Sequence, residues 1–288
     1  MSDGLVSADG LVDGHIHVWS GSPDRYPWRP IHGAAPPARP GDADWVLAVL
    51  ARHGVKVAVA VQPRAYGNDH SYLADTVTRL PERILAVAAL DPRDSASPDQ
   101  LSDLAALGFR GLRLDPMGWD TSALTDRVVR PLWDRAATLG LATELLVRPE
   151  QLPAVSNLAA RTPSMPVVIE HLARYDARHD EPFDGLVDIA RRPNVYGKLS
   201  ALASISRQPP PHEDLRSLVE VALEAFGPER LMWGSDMPWL DESAYAAELE
   251  VVRHLSGLHG AALAWLLGGT ARSVFGMLPF PPVQEGLR

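Results

Sequence analysis

The 288-residue chain is 46% hydrophobic and 22% charged, carries a formal net charge of −9 and contains no cysteine. That composition belongs to a globular protein with a full core, and its negative surface repels phosphate and argues against a nucleic acid partner, although local arginines can still hold an anionic substrate. Disulfides, thiolate metal ligands and thiol nucleophiles are excluded with cysteine.

No apolar run approaches the roughly 20 residues of a membrane span. Residues 1–10 show no basic segment followed by an apolar one, so no secretory signal is read there. The expectation is a cytoplasmic protein by default, with no membrane partner and with homo-oligomerisation left open.

Short apolar runs alternate with longer amphipathic stretches along the chain. Strands are expected at residues 11–19, 55–62, 84–90, 109–114, 141–147, 167–172, 194–200 and 230–236. Helices are expected near 43–53, 69–80, 99–107, 123–139, 150–161, 184–191, 213–226 and 243–257. Gly54, Gly108, Gly140 and Gly227 stand where helices end, and Pro98 and Pro149 where helices start. Residues 20–42 and 202–212 read as long rim loops after strands 1 and 7. A further helix over 259–275 packs through Leu263, Leu266, Leu267 and Val274, and the tail from Pro279 reads as extended or loose. Eight strands alternating with eight helices make an α/β chain, a single (β/α)8 TIM barrel over 1–288, in preference to an open doubly wound sheet.

In such a barrel the C-terminal ends of the strands carry the chemistry. Asp13-Gly14-His15-Ile16-His17 closes strand 1. Alternation puts His15 and His17 on one face, where two imidazoles can ligate a metal or polarise a carbonyl; a bare pair of this kind is also common as a hydrogen-bonded core motif. Asp236 ends strand 8, which neighbours strand 1 when a barrel closes. Its carboxylate can be a base, a metal ligand or a turn cap. His171 ends strand 6; parity groups it with Val167 and Ile169 and places Glu170 on the opposite face. Arg113, flanked by Leu112 and Leu114, faces the lumen, where it grips a substrate carboxylate or an internal acid such as Glu144. Gln62, grouped by parity with Ala58 and Ala60, and then Arg64, Tyr66, His70, Tyr26 and Trp28 are candidates for substrate contact or pocket wall. Lys198 is buried by pattern and needs an acidic partner. No GxSxG elbow, phosphate-binding GxxxxGK[ST] loop or GxGxxG turn is present.

Taken in order, Asp13 to Trp19, Tyr26-Pro27-Trp28, Val61-Gln62-Pro63, Gly108 to Arg113, Leu146 to Leu152, Glu170-His171-Leu172, Asn194 to Ser200 and Phe226 to Asp236 resemble the amidohydrolase-related family of barrel hydrolases, over nearly the whole chain. The family includes lactonases acting on pyrone dicarboxylate and on sugar acids. The resemblance implies that His15, His17 and His171 polarise a lactone carbonyl or bind a divalent metal, Zn2+ or Mn2+, that Asp236 activates water, and that Arg113 holds a substrate carboxylate. Strand 5 offers Glu144 where metal-dependent decarboxylase relatives carry a histidine, so either Glu144 completes a metal site with His15, His17, His171 and Asp236, or no metal is needed. Leu114 to Trp119 lacks the second arginine of the pyrone dicarboxylate enzyme, and Asp236-Met237-Pro238 replaces Asp-Trp-Pro. The expected activity is hydrolysis of a small lactone. The alternatives are a metal-dependent decarboxylase or amide hydrolase, and a non-catalytic binder of a small acid.

Overall fold

The computed structural model describes residues 10–31, 33–116, 124, 126–175 and 183–277. Strands β1 (Val12–Ile16), β2 (Val57–Val61), β3 (Ile84–Ala89), β4 (Gly111–Leu114), β5 (Ala142–Leu145), β6 (Val167–Ile169), β7 (Val195–Ser200) and β8 (Leu231–Gly234) pair in parallel, each with the next in sequence. Helices α1 (Ala43–Arg52), α2 (Ser71–Arg79), α3 (Ser97–Ala106), α4 (Asp126–Thr138), α5 (Leu152–Arg161), α6 (Asp184–Ala190), α7 (Leu202–Ile205), α8 (Arg216–Phe226) and α9 (Glu242–Ser256) follow the strands around the outside. The (β/α)8 barrel expected from the alternation is the observed fold. Residues 117–119 and the tail from Pro279 lie outside the described residues.

Parallel strands covered on both faces read as apolar runs, which is why all eight were legible. Their inner faces contribute Val12, Val59, Val61, Val87, Ala142, Val168 and Met232 to one core; their outer faces, including Ala58, Ala60, Leu112, Leu114, Val167 and Ile169, join the helices in a second. Beneath the barrel, the expected C-terminal helix runs through α10 (Gly260–Ala264), a π turn at Trp265–Gly269 and α11 (Thr270–Val274). Ala271, Val274 and Phe275 plug the lumen from below. Gly268 abuts the Gly10 carbonyl, where no side chain fits. Among the described residues, no helix is long and apolar enough to cross a membrane.

Closure joins the first strand to the last. His15 O accepts from Asp236 N at 2.9 Å, Met237 O accepts from His17 N at 2.7 Å, and Ile16 bridges to Met237. The Asp13 carboxylate binds both sides of the seam, accepting from Ser235 N at 2.9 Å and from His15 N at 3.2 Å. A register shift between Asp13 and Ile16 turns Asp13 away from His15, so the simple alternation expected for this segment is broken. At Gly234 a Cβ would lie 2.6 Å from that of His15. Gly234→Ala is therefore expected to force the seam open and cost about 1–3 kcal/mol, measurable as a lowered urea midpoint.

Candidate active site

Three imidazoles and one carboxylate meet at the upper mouth. The rings of His15 and His17 lie 5.0 Å apart and those of His15 and His171 4.8 Å apart. Asp236 Oδ1 stands 3.6 Å from His15 Nε2 and 3.4 Å from His17 Nε2, and those two nitrogens are 3.4 Å from each other. Asp236 sits two residues beyond β8 in a left-handed conformation with φ 63°, which swings its side chain back over β1. A cavity of 450 Å³ opens above, lined by His17, Arg64, Arg113, His171, Arg174 and Asp236, with Trp239 and the 34–38 segment as walls.

Each ring is oriented by its other nitrogen. His17 Nδ1 lies 2.7 Å from Val61 O, and a carbonyl only accepts, so Nδ1 bears a proton; in the neutral ring Nε2 then presents a lone pair toward Asp236. His171 Nδ1 pairs with Ser200 Oγ at 2.8 Å. His15 Nδ1 lies 3.2 Å from Lys198 Nζ, which also donates to Glu144 Oε1 at 2.7 Å. Burial holds His171 down to about 3. Burial and then Lys198 hold His15 well below its ordinary value. Both rings are therefore neutral at physiological pH and act as hydrogen-bond donors or ligands rather than as cations.

The His17 lone pair and a buried Asp236 oxygen with no hydrogen-bond partner face each other, so a proton on His15 Nε2 or a metal cation belongs between them. Ligands of a tetrahedral ion at about 2.1 Å stand about 3.4 Å from one another. The His15–His17–Asp236 triangle has those edges, so this donor set fits a divalent ion. Glu144 is held instead by Lys198. It belongs to a buried row beneath the histidines in which Lys198 meets Glu144, Glu144 meets Glu170, and Glu170 accepts from Arg113 at 2.8 Å.

That row carries a pH signature. Burial raises Glu144 to about 8, so it is largely protonated at neutral pH. Burial also pushes Glu170 upward, but Arg113, His171 and Lys198 together bring it below its usual range. Because Glu144 is raised in the fold, its protonation stabilises fully below 4.5 and that contribution fades as pH climbs to about 8. His70 and His171 are lowered, to about 4 and about 3, so they destabilise only below 6.5. Asp13, raised by burial to about 6, is mostly ionised by then and adds a smaller fall in the same direction just above pH 6.5. Stability is thus expected to fall between about pH 6.5 and 8 by up to about 1.4 kcal/mol per unit, and Glu144→Gln to flatten the fall in pH-resolved urea denaturation.

Other candidates lie where parity did not put them. β6 ends at Ile169, and residues 171–174 form a left-handed turn with φ of 51°, 47°, 58° and 54°. Glu170 faces the lumen with Val168, while Val167 and Ile169 face the helices, and only the turn brings His171 inward. Gln62 is not among the cavity-lining residues; its amide donates to Gly67 O at 3.1 Å and Asp69 O at 2.8 Å, holding the loop after β2. The partner of Arg113 is Glu170 rather than Glu144. Arg64 lines the cavity but is paired to Asp115 through two guanidinium nitrogens. Tyr66 accepts from Ser20 N at 2.8 Å and stacks on Trp28 at 4.6 Å, one layer behind the cavity. Tyr26 donates to Asp75, and His70 is fixed between Asn68 O and Ala89 N. Sequence reasoning missed Arg174, Trp239 and Ser200; Arg174 follows His171 by three residues, and that spacing was its only signal.

The chain is similar to several known proteins. The chain is 33% identical over 284 residues to an L-fucono-1,5-lactonase of Burkholderia ambifaria, covering 92% of each. It is 33% identical over 252 residues to a 4-sulfomuconolactone hydrolase of Hydrogenophaga intermedia, covering 81% of this chain and 76% of the relative. Among solved structures, a protein described as a 2-pyrone-4,6-dicarboxylic acid hydrolase of Pseudomonas putida superposes with a TM-score of 0.79 at 28% identity, over 94% of this chain and 98% of that one. The amidohydrolase family model matches residues 12–277, and the chain belongs to that family.

Proposed function

We propose that the chain hydrolyses the ring ester of a small lactone at the Asp236 site. The observation that carries this reading is the partnerless Asp236 oxygen beside two imidazoles, at the floor of a cavity large enough for a small ring. Relatives that act on lactones support it.

Asp236 takes a proton from water, whose oxygen adds to the carbonyl carbon. The oxyanion receives a hydrogen bond from His171 Nε2–H, the tautomer set when the Ser200 hydroxyl donates to Nδ1. Collapse breaks the ring C–O bond, and Asp236 returns its proton to the departing alkoxide, giving a hydroxy acid. His15, His17 and Asp236 would hold a divalent ion, Zn2+ or Mn2+, which when bound supplies Lewis-acid polarisation of the carbonyl. Zn2+ is expected to raise the melting temperature of the wild type and not that of His17→Ala.

The reading is tested with a lactone panel and a pH indicator. Acid release with no CO2 is the expected outcome; CO2 release, or no turnover of any lactone, overturns it.

A further inference from the structure

Three arginines line the 450 Å³ cavity, and among the described residues only two of them meet an acid. Arg64 is spent on Asp115 and Arg113 on Glu170. Arg174 is half-buried and makes no ion pair or hydrogen bond with the described residues. Burial pulls it below the usual guanidinium range, and Arg64 and Arg148 add like charge, opposed by Asp236 and, more weakly, Glu170. A guanidinium does not give up its proton near neutrality, so that cost stands until an anion arrives.

The backbone aims this cation. In a turn of three residues, side chains three apart eclipse. His171 and Arg174 therefore stand on one side of the left-handed turn, and both line the cavity, while Leu172 and Ala173 are fully buried on the other. One turn thus carries the group proposed to face the carbonyl and, three residues on, a cation with no acidic partner among the described residues.

We propose that Arg174, rather than Arg113, is the specificity-determining residue of this site, and that it grips an oxyacid anion, a carboxylate or its sulfonate equivalent, borne by the lactone ring. The planar fork of Arg174 matches such a group. The anion is held above the turn while the ring carbonyl lies beside Asp236. This rests on the lactonase reading and narrows it to anionic lactones.

The experiment compares paraconate, a γ-lactone with one carboxylate, with its uncharged carboxamide, on the wild type, Arg174→Gln and Arg174→Lys. Arg174→Gln is expected to lower the preference for carboxylate over carboxamide, as a ratio of kcat/KM, by on the order of tenfold to a hundredfold. The loss is carried by KM, and Arg174→Lys retains part of the preference. Equal losses on both lactones, or a loss in kcat alone, overturn the proposal. If the wild type hydrolyses neither lactone, the wider lactone panel decides the lactonase reading, and binding decides Arg174 separately. Succinate then raises the melting temperature of the wild type and not of Arg174→Gln if the anion site is correct. An equal shift in both, or none in either, overturns it.

Discussion

Asp236→Asn is expected to lower kcat for lactone hydrolysis by at least about a thousandfold, with substrate affinity kept. The amide is nearly isosteric and can still accept from its surroundings, so the shape of the cavity floor survives. What it cannot do is take a proton from water. The two imidazoles cannot replace it, because His17 presents its lone pair toward the carboxylate and His15 is buried against Lys198. Steady-state kinetics with parallel equilibrium binding of the unreacted lactone check this. Turnover within tenfold of the wild type would remove Asp236 from the base role.

The largest stability effect is expected at Lys198. Lys198→Met removes the ammonium that faces Glu144 and His15, deep beneath the site and fully buried. Breaking a buried pair from one side costs about 3–5 kcal/mol when the remaining charge cannot escape. Glu144 can escape by binding a proton, since burial already raises it. The loss is therefore expected to be small near about pH 6 and to approach about 3 kcal/mol near pH 8 and above, where protonation itself becomes costly. The double variant Lys198→Met/Glu144→Gln is expected to recover most of that loss at high pH. Urea denaturation at the two pH values measures both. A pH-independent loss would mean that Lys198 acts through packing alone.

Strand positions were open to reading because each buried parallel strand is a short apolar run, and His15, His17 and Asp236 because they stand where such runs stop. Orientation was harder. In β2, Val-Ala-Val-Ala-Val is apolar on both faces, so nothing local says that the larger valines fill the lumen while the alanines admit the helices; Gln62 was misplaced for that reason. The turn after β6 left no trace at all. Left-handed backbone is expected at glycine or asparagine, yet His171-Leu172-Ala173-Arg174 adopts it four times running, at about 1–2 kcal/mol per residue. Burial of Leu172 and Ala173 in the surrounding core holds that strain. Long-range packing of this kind is invisible to a local pattern, and it sent Glu170 to the wrong face and hid Arg174.

The seam between β1 and β8 also has a consequence for biogenesis. A growing polypeptide releases His15 and His17 early, but the carboxylate they meet is made more than two hundred positions later. Until then β1 lacks one neighbour, and a product that stops short of Asp236 cannot form the site proposed above. Assembly of the proposed site is thus coupled to sealing of the ring.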